Sequence, residues 1–202
     1  MKKIIIFTLY IFSIGCSAQT PIIDITFQNG TRVNGAYYKD INQLINPFRG
    51  TWLYTNGTTS LKIVFVKKAM QYNTQYYEDL IIGEYQYIEN GVEKVNTLST
   101  INNNYSNQIL HSIAGNSILN NENKPPCNDC EEFESRLRLM FTEPNSELYG
   151  QMIVRKIMIG SQEAIKIIIR KTGDASVWTE GTTPPPSDFK VPSGEYTLIK
   201  VN

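Results

Sequence analysis

The chain has 202 residues, with 19 lysines and arginines against 19 aspartates and glutamates and a single histidine, so its formal net charge is zero. That balance excludes a general nucleic-acid binder, which needs a basic field to meet the phosphates, and attachment to anionic lipid by charge alone. The length suits one domain with a core of its own.

The first residues have the order of a secretory signal. Lys2 and Lys3 precede an apolar run over residues 4–14, followed by the small residues Gly15, Cys16, Ser17 and Ala18. The apolar run is shorter than the roughly 20 residues that span a bilayer as a helix. Phe12-Ser13-Ile14-Gly15-Cys16 resembles a bacterial lipobox, in which Cys16 becomes the lipidated first residue. The alternative is a cut after Ala18, with Cys16 and Ala18 as the small cleavage positions. Either event leaves Cys127 and Cys130 as a pair, so cysteine parity does not choose between them. Lipid on Cys16 is the favoured expectation, which makes the chain an envelope protein held to a membrane and facing the periplasm; otherwise it is secreted. Residues 19–202 are expected to form a single β domain.

Within that domain the apolar residues alternate. One or two helical turns are expected over 40–45, where Ile41, Leu44 and Ile45 share a face. Leu61, Ile63 and Phe65 share one parity, as do Leu137, Leu139 and Phe141, the pattern of strands with one face in a core. Asn56-Gly57, Asn90-Gly91 and Pro144-Asn145 mark tight turns between the runs. Gly83 reads as a bend in a curved strand. The cysteine-bearing stretch 120–129 and the proline-rich stretch 181–192 are long connections, and the strand 194–201 closes the chain. Eight to ten strands follow, joined mostly as hairpins without βαβ alternation. The expected fold is all-β: an antiparallel meander forming a barrel or a strongly curved sheet.

Phe48-Arg49-Gly50-Thr51-Trp52, after a short helical turn, resembles the opening of lipocalin-like barrels. The resemblance implies that Trp52 plugs one barrel end and that Gly50 lets the chain pass close by. The last strand lacks the arginine that covers this tryptophan in the family, leaving Lys200 or Arg170 to replace it, and no long helix precedes that strand. Residues 35–40, 48–54, 77–80, 83–87 and 191–196 resemble a family of small exported proteins of Bacteroidota such as flavobacteria. That family has no assigned function, so the resemblance implies export and a β domain but no activity.

Four features invite chemistry. Cys127 and Cys130 form a Cys-x-x-Cys, but Asp129, Glu131, Glu132 and Glu134 crowd it, and acids raise thiol pKa values. No second ligand pair supports a zinc site, and residues 129–134 lack the calcium-loop spacing, so a local disulfide is expected. His111 and Ser112, as neighbours on a strand, would face opposite ways and could not form a nucleophile–base pair. Glu78, Asp79 and Glu84 could line a cleft, although Glu78 and Asp79 also alternate. Tyr85 and Tyr87 share a face and are the candidates to line a ligand cavity. No catalytic residue, metal or cofactor is expected. The leading expectation is a non-catalytic protein holding a small apolar or amphipathic ligand inside its barrel; the alternative is a solid barrel that contacts another protein.

Overall fold

A computed structural model describes residues 20–27, 30–120, 125–174 and 186–201. The signal segment, Cys16 and residues 181–185 of the proline-rich stretch lie outside the described residues. The alternating runs become strands β1 (Ile22–Asp24), β2 (Tyr37–Lys39), β3 (Gly50–Asn56), β4 (Thr59–Tyr72), β5 (Tyr77–Glu89) and β6 (Val92–Asn96). They continue as β7 (Ile113–Leu119), β8 (Arg136–Thr142), β9 (Leu148–Ile159), β10 (Gln162–Asp174) and β11 (Gly194–Val201).

Eight of these close a ring in the order β5, β4, β3, β11, β10, β9, β8, β7, and β7 returns to β5. Every pairing in the ring is antiparallel. The fold is therefore a closed eight-stranded barrel of lipocalin-like form. Three strands lie outside the ring. β6 folds back on the end of β5, while β1 and β2 run parallel to the start of β5, so the chain is not a pure antiparallel meander.

The strands alternate between two barrel ends. The Trp52 end carries β1, β2, the β4–β5 and β9–β10 hairpins, and the approach to β8. The other end, called the loop end, carries the β3–β4 and β5–β6 hairpins, the segment 97–112, and the chain entering β9 and β11. Asn90 and Gly91 make the β5–β6 turn with φ of 51° and 77°, the paired positive values that fit a right-twisted hairpin. Gly83 permits close packing, because a Cβ there would lie 2.7 Å from the Phe65 ring.

The segment 40–45 departs from expectation. It is a set of turns, with Gln43 at φ 56°, and the one helical piece is the 3-10 turn Asn46–Phe48. The Asp40 carboxylate accepts from the Leu44 and Ile45 amides, a local bond that competes with helical hydrogen bonding. Ile45 is buried but Ile41 is 53% exposed, so the three residues do not share a buried face.

Candidate functional site

Trp52 is fully buried, and its indole Nε1 donates to the Phe48 carbonyl at 2.8 Å. Below the ring lie Lys156 and Lys200, with Nζ atoms 5.2 and 5.6 Å from its centroid. Glu163 holds both ammonium groups, accepting at 2.6 and 2.5 Å. Hydrogen bonds from Lys156 and then Lys200 lower the Glu163 carboxyl to about 2, so this cap stays ionised through the mildly acidic range. Lys200 thus takes the position over the tryptophan, together with Lys156, whereas Arg170 is exposed and pairs toward Gln151. Gly50 adopts φ 126°, and a Cβ there would press on the Lys200 stem at 3.3 Å.

Tyr85 and Tyr87 both face inward, as their shared parity requires, and both are buried. They lie in one continuous apolar core that draws on every strand of the ring. Tyr85 packs on Phe141 at 5.1 Å between ring centroids, and Phe141 meets Phe189 edge-on at 5.0 Å. Phe189 and Val191, from the chain entering β11, are buried in the same core. Burial first, then the nearby charges of Glu143 and Glu84, pushes the Tyr85 phenol pKa upward. Burial also raises Tyr87, with Glu89 beside it. The two tyrosines are therefore part of the packing between Trp52 and Phe189.

The outer face of β5 holds an arrangement of a different kind. Leu80 and Ile82 point outward and are covered with Ala114, Val66 and Ile101. The next residue of that parity is Glu84, which is 1% exposed and meets His111, also 1% exposed. His111 Nδ1 lies 2.7 Å from Glu84 Oε1, which also accepts from the Ser112 amide at 3.4 Å. Among the described residues, Glu84 Oε2 and His111 Nε2 have no hydrogen-bonding partner. The Tyr105 ring packs edge-on against the imidazole at 4.8 Å. An open groove of about 440 Å³ runs beside the pair, lined by Glu84, Lys94, Thr97, Tyr105, Ser112 and Lys190.

His111 follows the 3-10 turn Gln108–Leu110, and β7 starts only at Ile113, so His111 and Ser112 are not neighbours on a strand. Its neighbour Ser112 uses its backbone carbonyl to accept from Thr142 N at 2.8 Å. Among the described residues no hydroxyl or thiol is hydrogen-bonded to His111, so the pair is a buried clasp without a nucleophile. The sequence offered Glu84 and His111 separately; the β5–β7 pairing joins them. The available signal was an acidic residue continuing the Leu80, Ile82 parity.

Glu78 and Asp79 do face opposite ways. Glu78 accepts from Asn73 and Asn116. Asp79 is buried and accepts from the Tyr37 hydroxyl and from the Met70 and Asp40 amides. Lys67 bonds Asp40 at 2.7 Å and lies 3.8 Å from Asp79. Burial, and then the hydrogen bond to Asp79, raises the Tyr37 hydroxyl pKa. These groups tie the turns after β2 to the β4–β5 hairpin and leave no carboxylate pair open to a substrate.

Cys127 and Cys130 form a disulfide with Cα atoms 5.3 Å apart. Two of the acids around it are engaged: Arg155 bonds Asp129 at 2.8 Å and Glu134 at 2.5 Å. The Arg155 hydrogen bond and charge hold the Asp129 carboxyl below its ordinary value. Cys127, Asp129 and Cys130 are the one cluster of potential metal ligands among the described residues, and the disulfide occupies both sulfurs. Replacing both cysteines with serine is expected to lower stability by about 2 kcal/mol at most, because the closed loop is so short. A urea titration of the double variant checks this; a larger loss would mean that the bridge fixes more than its own loop.

Among the described residues no helix is long and apolar enough to cross a membrane. The disulfide is compatible with a periplasmic or extracellular protein. A family model described as a family of unknown function (DUF6705) matches residues 1–201. No curated protein and no solved structure matches the chain.

Proposed function

Since the chain belongs to the DUF6705 family, whose function is unknown, we propose its role from the site itself: a non-catalytic, exported envelope protein whose solid barrel is a scaffold for contact with another protein. The observation that carries this reading is the filled interior. Trp52, Phe65, Tyr85 and Phe141 are buried to 2% exposure or less and belong to one core. A small apolar ligand inside the barrel would have to displace these rings, and interiors packed to crystal-like density resist added volume. Recognition then falls to the outside, where the groove beside Glu84 offers Lys94, Lys190 and the Tyr105 ring at the loop end.

Export rests on the basic, apolar and small-residue order of residues 2–18, and the tether on Cys16 of the lipobox-like stretch. A lipid at that residue holds the barrel to a membrane without a spanning segment. Facing the periplasm, such a protein could keep the Cys127–Cys130 bridge oxidised. The non-catalytic reading is supported by the Glu84–His111 pair, each residue 1% exposed and, among the described residues, with no hydroxyl or thiol hydrogen-bonded to the imidazole.

Native mass spectrometry of protein released gently from its own envelope tests the proposal. The native and denatured masses should agree, with the mass of a covalent lipid on Cys16. A small apolar molecule lost on denaturation would overturn the solid scaffold and restore the carrier.

A further inference from the structure

Exposed apolar side chains are concentrated at one end of the barrel. Ile22, Phe27, Ile41, Phe133, Met158 and Ile159 are 44% to 88% exposed, and all six belong to segments at the Trp52 end. Phe133 is the extreme case at 88%, on the approach to β8. Met158 and Ile159 end β9, and Ile22 lies in β1, paired through Tyr37 to Tyr77 at the start of β5. The loop end has fewer, with Val92 and Leu110 the most exposed.

The same end has the polar groups that suit a membrane interface. The β4–β5 hairpin extends beyond the ring and presents Tyr72, which is 49% exposed. Tyrosine favours the boundary between headgroups and acyl chains. The cap under Trp52 sets two lysines, Lys156 and Lys200, against the single Glu163, leaving one positive charge near the centre of this face. Arg49 and Lys39 are exposed at this end as well. The acids near Phe133 offset these charges: Glu131 and Glu132 are exposed, while Asp129 and Glu134 are held by Arg155.

The chain also enters here. The described residues begin at Thr20, two positions before β1. Four residue steps separate Thr20 from Cys16, a reach of at most about 14 Å. A lipid on Cys16 therefore keeps this end, and not the loop end, within contact distance of the bilayer.

We propose that the Trp52 end of the barrel rests on a lipid surface, with Phe133, Met158 and Ile159 entering the headgroup region and the Glu84 groove directed away from it. This rests on the tethered-protein reading above and adds an orientation to it. The occupant is a bilayer rich in zwitterionic lipid, because the face combines exposed apolar side chains with cations and acids in near balance.

The test uses the mature protein as the cell makes it, reconstituted into phosphatidylethanolamine-rich vesicles whose acyl chains carry bromine, a contact quencher of indole fluorescence. Two variants add a reporter at exposed positions, Phe133→Trp and Leu110→Trp, and each is compared with the parent protein to subtract its own tryptophans. The Phe133→Trp variant should lose most of its added emission in brominated vesicles, and the Leu110→Trp variant should keep its own. Vesicle-bound protein in which Phe133→Trp stays bright overturns the proposal, as does equal quenching of the two. Intact mass reads the tether separately. Unlipidated protein that still shows selective Phe133→Trp quenching would support the surface while removing the tether. Unlipidated protein that stays off the vesicles would overturn both. Burial of the Phe133→Trp reporter in a dimer without vesicles, read from native mass, would assign the face to a second copy and also overturn it.

Discussion

Replacing Trp52 with alanine should destabilise the protein by about 4 kcal/mol, the range for removing a fully buried large aromatic. The indole is 0% exposed, its Nε1 bonds the Phe48 carbonyl, and it closes the barrel above the Lys156–Glu163–Lys200 cap. Alanine would leave a cavity at that closure and free the 3-10 turn Asn46–Phe48 from its anchor. Lys200→Met offers the contrast, because a partly exposed cation over a ring contributes only about 0.5–1 kcal/mol. Urea denaturation of both variants measures the difference. A Trp52→Ala loss no larger than that of Lys200→Met would mean that the tryptophan is not the plug of this barrel end.

The second large effect belongs to the clasp on the outer face. His111→Ala should cost about 3–5 kcal/mol, since it leaves the Glu84 carboxylate buried with only the Ser112 amide to stabilise it. The reverse change, Glu84→Ala, strands the imidazole in the same way. Replacing both residues with leucine should recover most of the loss, because an apolar pair of similar volume needs no partner in that site. Adding the variant that carries both His111→Ala and Glu84→Ala closes a double-mutant cycle with the two single alanine variants. Additive single losses, with no recovery in the double variant, would rule out a coupled pair. A small cost for His111→Ala alone would show that water reaches Glu84 from the groove.

What the sequence disclosed follows from the range of each interaction. Period-two alternation is local, so Leu61, Ile63 and Phe65, like Leu137, Leu139 and Phe141, were assignable to an inner face before any fold was known. The Asn90-Gly91 turn was equally legible, since its backbone demands are met within four residues. The 40–45 turns were missed because Asp40 competes for the Leu44 and Ile45 amides and gains Lys67 and the Asp79 neighbourhood from β4 and β5, which spacing cannot reveal. Glu84 and His111, 27 residues apart, meet only because β7 completes the ring against β5. The acids around the cysteine pair were legible as neighbours in sequence, but the Arg155 that reaches Asp129 and Glu134 across 26 and 21 residues was not.

The pairing of β11 with β3 has a kinetic consequence. Val201 sits opposite Thr51, so the ring needs a contact between residues 201 − 51 = 150 positions apart. The other long-range joint of the ring, β5 with β7, holds through only three residue pairs. The hairpins from β3 to β5 can pair early, but no barrel can shut until β11 has joined them. Folding rate falls as such distant contacts come to dominate. Until β11 has joined β3 the chain is therefore an open sheet, with its inner face still uncovered.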